Sequence, residues 1–382
     1  MSQTPPTADI AVSETPLAHR LTAAGPSVPP LRIHRGARTP ECFSSAAEEL
    51  QALLRSAGIY DLGFRSILRV TGKDRVRWMN GMITQTVRGL TPGQLGYTLV
   101  LNPQGRMQGD GDVFCYDDFL LLETDRSQAD RLITHLRRYI IMDDVKLEPL
   151  DDSLTALGIA GPNAARILES LGAAIPEEGA FQSVQLAGIE TTLAHRYSPV
   201  VPCFEIHLSC ERVLDLWNAL LASGAAPCGV ESTEQFRILQ GIPLFDVDFS
   251  DKHLPQEAGL HRALNFTKGC YIGQEIVERI RARATVHRSL RQFQLEGVMP
   301  PLGPGQTAEL RSGDAAVGEI TSFARIELPG LMQSLALGIA RVEALDRSLN
   351  GSEPIRCAAG IATPLAAPPK SADLQSVRPG DR

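Results

Sequence analysis

Near residue 286 the hydrophobic pattern of this 382-residue chain changes period, and that break limits the folds open to it. Upstream, helical stripes alternate with short apolar runs. Ser45-Ala46-Ala47-Glu48 is a capping box, Leu50, Leu53 and Leu54 share the next helical face, and Gly58 stands at the expected C-cap. Residues 67–70 read as a strand and 71–82 as a helix. The spacing predicts strands over 95–101, 106–116 and 119–123, a turn at Asn102-Pro103-Gln104-Gly105, and a helix over 127–139. A second unit starts near Asp151, with strands at 157–160, within 181–196 and at 204–208. Its helices open at Gly161-Pro162 and cover 212–223 and 231–240. Downstream, short runs at 288–295, 307–311, 316–323 and 335–342 lie between Gly and Pro turns, which predicts a small β-barrel or sandwich. The expected class is α+β: a body over 41–285 made of two α+β subdomains meeting near 150, then a barrel over 286–357.

Residues 1–40 and 358–382 are rich in Pro, Ser, Thr and Ala with little periodicity, and both are expected to be disordered arms. A hydrophobic share of 43% and a charged share of 21% fit a soluble globular body. The net charge of -7 argues against wholesale wrapping of nucleic acid or anionic membrane, though not against a local basic patch. The chain has no apolar run of ~18 residues and no secretory signal pattern. Seven scattered cysteines without a CxxC pair argue against a disulfide framework or a zinc knuckle. Reduced thiols in a cytoplasm are the expectation.

One stretch concentrates chemistry: Lys268-Gly269-Cys270-Tyr271-Ile272-Gly273-Gln274-Glu275. Its glycines would let the backbone turn and expose the Cys270 thiol. Lys268, in a chain with five lysines against 32 arginines, would favour the thiolate two residues away. The alternative is a turn around a buried, inert cysteine.

These eight residues resemble the signature of the YgfZ-type folate-binding proteins, relatives of the glycine-cleavage T-protein, an aminomethyltransferase. Gly241-Ile242-Pro243 and Leu254-Pro255-Gln256-Glu257-Ala258-Gly259-Leu260 are similar to the approach to that signature. Asp61-Leu62, Val70-Thr71-Gly72-Lys73-Asp74, Asn80-Gly81-Met82-Ile83-Thr84-Gln85 and Gly161-Pro162-Asn163-Ala164 resemble the wider superfamily, so the likeness covers roughly 45–342. It implies a T-protein-like multi-domain body around a central folate channel, closed by the small C-terminal β-barrel. The implied cofactor is tetrahydrofolate or a derivative. The implied role is support of iron–sulfur cluster enzyme assembly or repair, tRNA-thiolating enzymes included, with Cys270 as a functional thiol and Lys268 beside it.

Folate contacts are then expected from Asp110, Glu205, Arg237, Tyr271, Gln274 and Glu275. The T-protein motif pairs two aspartates after a Gly-Gly turn, whereas Gly105-Arg106-Met107-Gln108-Gly109-Asp110 keeps only the second. That loss weighs against aminomethyl transfer. Strand alternation puts Asp110 and Asp112 on one face. Phe204 and Glu205 are what remains of another T-protein stretch. Arg237 falls where the superfamily has an arginine, and a guanidinium suits the carboxylates of folate. Tyr60, Trp78 and Tyr97 are candidates for stacking on a ring, with core packing the plainer role for Trp78.

Two other functions stay open. One is a folate-dependent aminomethyltransferase or demethylase that relies on Asp110. The other is an RNA- or protein-binding module. In a strand, Arg279, Arg281 and Arg283 would share a face, with His287, Arg288 and Arg291 beyond them. The plain counterpart is a solvated edge strand. No membrane partner is expected, and Cys270, without a second cysteine at ligand spacing, is not expected to hold a permanent cluster.

Overall fold

The computed structural model describes residues 12–25, 29–283, 286–303, 305–329 and 331–369. A five-stranded sheet runs in the order Gln94–Leu101, Met107–Cys115, Leu120–Asp125, Arg65–Thr71, Lys146–Pro149. A six-stranded sheet runs Phe181–Leu186, Ile189–Arg196, Cys203–Ser209, Leu154–Ala160, Gly58–Asp61, Ala226–Cys228. The third unit is a closed barrel of six strands.

Strand period decides which side chains meet. In Met107–Cys115, Val113 and Cys115 turn toward Trp78, Leu132 and Leu136 in one core. Phe114 points the other way, toward Phe181 and Ala194 of the six-stranded sheet. Asp110 and Asp112 share the face of Phe114, as alternation requires. The turn before this strand is an Asx turn: the Asn102 side-chain oxygen accepts the N–H of Gln104 (3.0 Å) and of Arg106 (2.9 Å). The capping box at Ser45 and Glu48 forms on helix Ala46–Arg55. Gly58 does not cap that helix. Ser56 does, and Gly58 opens the next strand.

The expected N-terminal arm is corrected where it is described. Thr15 caps helix Pro16–Ala24, and Leu17 and Ala18 are fully buried. Leu31–His34 then pairs with Ala37–Pro40. The buried carboxylate of Asp61 fixes this segment, accepting the hydroxyls of Thr15 and Thr39 and the N–H of Gly63. The barrel also runs past 357. Gly360–Pro364 pairs with Arg288–Leu295 and closes it, because Arg288–Leu295 would otherwise be left with an open edge. Residues 1–11 and 370–382 of the two expected arms lie outside the described residues.

Candidate functional site

Both sheets, the Leu31–Pro40 hairpin and helix Val230–Leu239 wall a cavity of about 420 Å³. Asp110 lies on its wall. Tyr97 donates its hydroxyl to one Asp110 oxygen at 2.7 Å, and Gln128 donates its amide to the other at 2.7 Å. Burial, with repulsion from Asp125, pushes the Asp110 carboxyl above its usual range. At Gly109 a Cβ would stand 2.5 Å from the Gln128 oxygen and 2.8 Å from Leu132 Cδ2. The first aspartate of the T-protein motif, at position 109, has no room here, because Gln128 fills the space.

Glu205 also lines the cavity. It lies 2.8 Å from His207 Nε2 and 3.4 Å from Arg196 Nε, and His207 lies 3.2 Å from Glu123. Arg196 also pairs with Asp112. Burial opposes every charge in this group, so the partners decide the outcome. Arg196 and His207 hold the Glu205 carboxyl well below its usual range. Burial and the neighbouring Glu205 push Glu123 up to about 7. The two carboxylates overcome burial and raise His207 to about 9. Glu123, Glu205 and His207 offer donor atoms within 4.8 Å of one another. The Arg196 guanidinium already supplies the balancing cation.

Arg237 reaches the cavity wall with its donors spent. It pairs with Glu234 (2.9 Å) and Asp248 (2.7 Å), and donates to the Ile242 carbonyl (2.8 Å) and the Ser322 hydroxyl (3.0 Å). It ties helix Val230–Leu239 to the 242–248 loop and to the barrel.

No residue from Lys268 to Glu275 lines the cavity. Cys270 is the one exposed cysteine of the seven, and none of them is paired. Lys268 does not turn its ammonium to that thiol. Nζ donates to the carbonyls of Asn80 (2.6 Å), Ile83 (2.6 Å) and Gln85 (2.8 Å), at the C-terminus of helix Arg75–Met82. Burial pushes the amine down to about 7. Three convergent acceptors nevertheless need three N–H donors, which only the ammonium has.

Tyr271 is buried among Leu99, Met107 and Phe249. Gly273 has φ +82°, and a Cβ there would meet the Asn102 carbonyl at 2.6 Å. Gln274 opens helix Gln274–Arg283, and Glu275 pairs with Arg279 on its outer face. These residues clamp the helix onto the 102–105 turn. Cys270 alone presents a reactive group outward.

The arginine stripe is likewise corrected. Residues 279–283 are helical, so positions two apart point to different sides. Arg281 pairs with Glu278 and covers the Phe266 ring at 4.6 Å. Trp78 is core, donating its indole N–H to the Tyr139 carbonyl, while Tyr60 and Tyr97 line the cavity. Sequence reading missed Glu123, Arg196, His207 and Arg262. An acid directly after the apolar run 120–122, and the Glu205-Ile206-His207 alternation, were the available signals.

Two sheets with a charged cavity between them, and a closed six-stranded barrel, define a T-protein-like α+β protein. The GCVT N-terminal domain family matches residues 25–268, and the chain belongs to that family. The aminomethyltransferase of Bordetella petrii is 30% identical over 335 residues, covering 82% of this chain and 88% of its own. That of Anoxybacillus flavithermus is 28% identical over 268 residues, covering 65% and 73%. The crystal structure of glycine cleavage system aminomethyltransferase T from Bartonella henselae superposes with a TM-score of 0.80 at 18% identity, over 93% of this chain and 97% of that one. No helix among the described residues is long and apolar enough to cross a membrane.

Proposed function

We propose that the chain binds a tetrahydrofolate derivative in the 420 Å³ cavity and acts as a YgfZ-type accessory factor for iron–sulfur enzyme assembly or repair. Asp110 carries the proposal. A carboxyl oriented by Tyr97 and Gln128 suits the N–H groups of a reduced pterin, and the crowded Gly109 excludes its former partner. The donor set fits the group. Arg35, Arg65 and Arg196 each keep a buried nitrogen without a hydrogen-bond partner, and Tyr60 and Tyr97 supply flat faces. Bound tetrahydrofolate would supply one-carbon chemistry. Asp110 would hold the pterin, Arg65 and Arg196 would meet its acceptors, and the walls would keep water away. Cys270 lies outside the cavity lining, exposed to a client enzyme, where a thiol can exchange with a disulfide or ligate iron transiently.

Two experiments test the proposal. The first follows methylene-tetrahydrofolate formation from methylated amines. Robust turnover abolished by Asp110→Ala would make the protein a transferase, as its relatives are named, and no turnover is expected. The second is complementation of an iron–sulfur enzyme defect. Cys270→Ala should fail while still folding and binding tetrahydrofolate, and full complementation by it removes the thiol from the proposal.

A further inference from the structure

We infer that Gln85 is a positioning residue that ties the occupancy of the cavity to the reactivity of Cys270, an inference that rests on the reading above and deepens it. Gln85 lines the cavity, and it also touches both ends of the segment that leads to the thiol. Its side-chain nitrogen donates to the Arg262 carbonyl (2.9 Å), and its own carbonyl accepts Lys268 Nζ (2.8 Å).

Thr84 stitches the same two segments together. Its hydroxyl donates to the Ala263 carbonyl (2.6 Å), and its carbonyl accepts the N–H of Asn265 (3.1 Å). Both residues are fixed in turn to strand Gln94–Leu101. The Thr84 N–H donates to the Leu99 carbonyl (3.0 Å), and the Gln85 N–H donates to the Thr98 hydroxyl (3.1 Å).

Tyr97, on that strand, is the ligand's end of the connection. Its hydroxyl holds Asp110, and the Arg262 guanidinium lies over its ring at 4.2 Å. A ligand that pairs with Asp110 competes with the Tyr97 hydroxyl and so acts on the ring beneath Arg262. Gln85 holds the main chain of Arg262, and of the residues from Arg75 to Arg88 it alone lines the cavity.

Cys270 is the other end. It sits on a short span between two anchors. Lys268 Nζ is held by the carbonyls of Asn80, Ile83 and Gln85, and the Ile272 N–H donates to the Gly81 carbonyl at 3.0 Å. Between them Gly269 and Cys270 are exposed, and a Cβ at Gly269 would meet no atom within 4 Å. A span of three residues leaves little slack, and its two free positions yield first. Hydrogen-bonded and packed groups in unbroken contact are the physical carrier that such coupling needs.

Iodoacetamide alkylation of Cys270 in the full chain, followed by peptide mass, tests this. Rates are compared without ligand and with tetrahydrofolate at a saturation set by calorimetry. In wild type the ligand should change the rate about fivefold or more. Gln85→Leu and Gln85→Glu both remove the N–H given to Arg262 and leave the main-chain carbonyl on Lys268. Gln85 is half-buried, so both variants should fold. Each should erase most of the ligand's effect. A merely structural role would alter the two rates together and leave their ratio as it is in wild type. A wild-type rate that saturating ligand leaves unchanged, or a ligand effect that persists in both variants, overturns the inference and leaves the folate proposal standing. Absence of tetrahydrofolate binding removes both.

Discussion

Gln128 grips Asp110 twice. It donates to the carboxylate at 2.7 Å and accepts the Asp110 backbone N–H at 3.1 Å. The same side chain occupies the space that a residue at 109 would enter. One residue on helix Arg126–Arg137 thus orients the cavity carboxyl and excludes a second one.

Gly109→Asp should therefore not restore a two-carboxylate site. Overpacking against Gln128 and Leu132 should cost about 1–3 kcal/mol, read as a lower urea midpoint at constant slope. An unchanged midpoint would mean that the helix yields easily.

Arg237→Ala should act on stability before it acts on any ligand. Asp248 is 1% exposed and would lose its cationic partner. Breaking such a pair costs about 3–5 kcal/mol. Denaturant unfolding checks this, and a variant within 1 kcal/mol of wild type would show that the clamp carries little of the fold.

Lys268→Arg keeps the charge and should still destabilise. A planar guanidinium cannot place three N–H groups on carbonyls that converge on one nitrogen. The expected loss is about 1–3 kcal/mol for the stranded carbonyls. Cys270→Ala, by contrast, should be neutral in the same assay, because that thiol is exposed. Native alkylation with iodoacetamide should place its first adduct on Cys270, checked by peptide mass.

His207 and Glu123 both have raised folded pKa values, about 9 and about 7. A raised value means that the folded state holds the proton longer than the unfolded chain does. The His207 contribution is complete below its unfolded pKa of about 6.5 and is lost as pH rises through 9. Glu123 acts in the same direction between its unfolded value of about 4.3 and 7. The Lys268 amine, pushed down to about 7, pulls the other way above that pH, so His207 is read by difference: the unfolding free energy of wild type relative to His207→Gln should fall between pH 6.5 and 9. A slope identical in wild type and variant would contradict the buried network.

Local chemistry made much of the fold legible. The capping box at Ser45, the Asx turn at Asn102 and the alternation of Asp110 with Asp112 each depend on residues within four positions, and each stands in the structure. Contacts distant in sequence were not legible. Thr15 meets Asp61 across 46 positions, and Lys268 meets Asn80 across 188. Composition therefore suggested a disordered arm, and spacing suggested a lysine turned to its neighbouring thiol. The signature stretch itself packs as a clamp, while the cavity is built from residues that carry no local motif, such as Arg196 and Arg262.

The central claim is that the cavity binds tetrahydrofolate through Asp110. Titration calorimetry of tetrahydrofolate into wild type and Asp110→Asn measures it directly. Saturable binding to wild type, weakened roughly tenfold or more by the substitution, is the predicted result. No heat from wild type, or equal affinity in the two proteins, would contradict it.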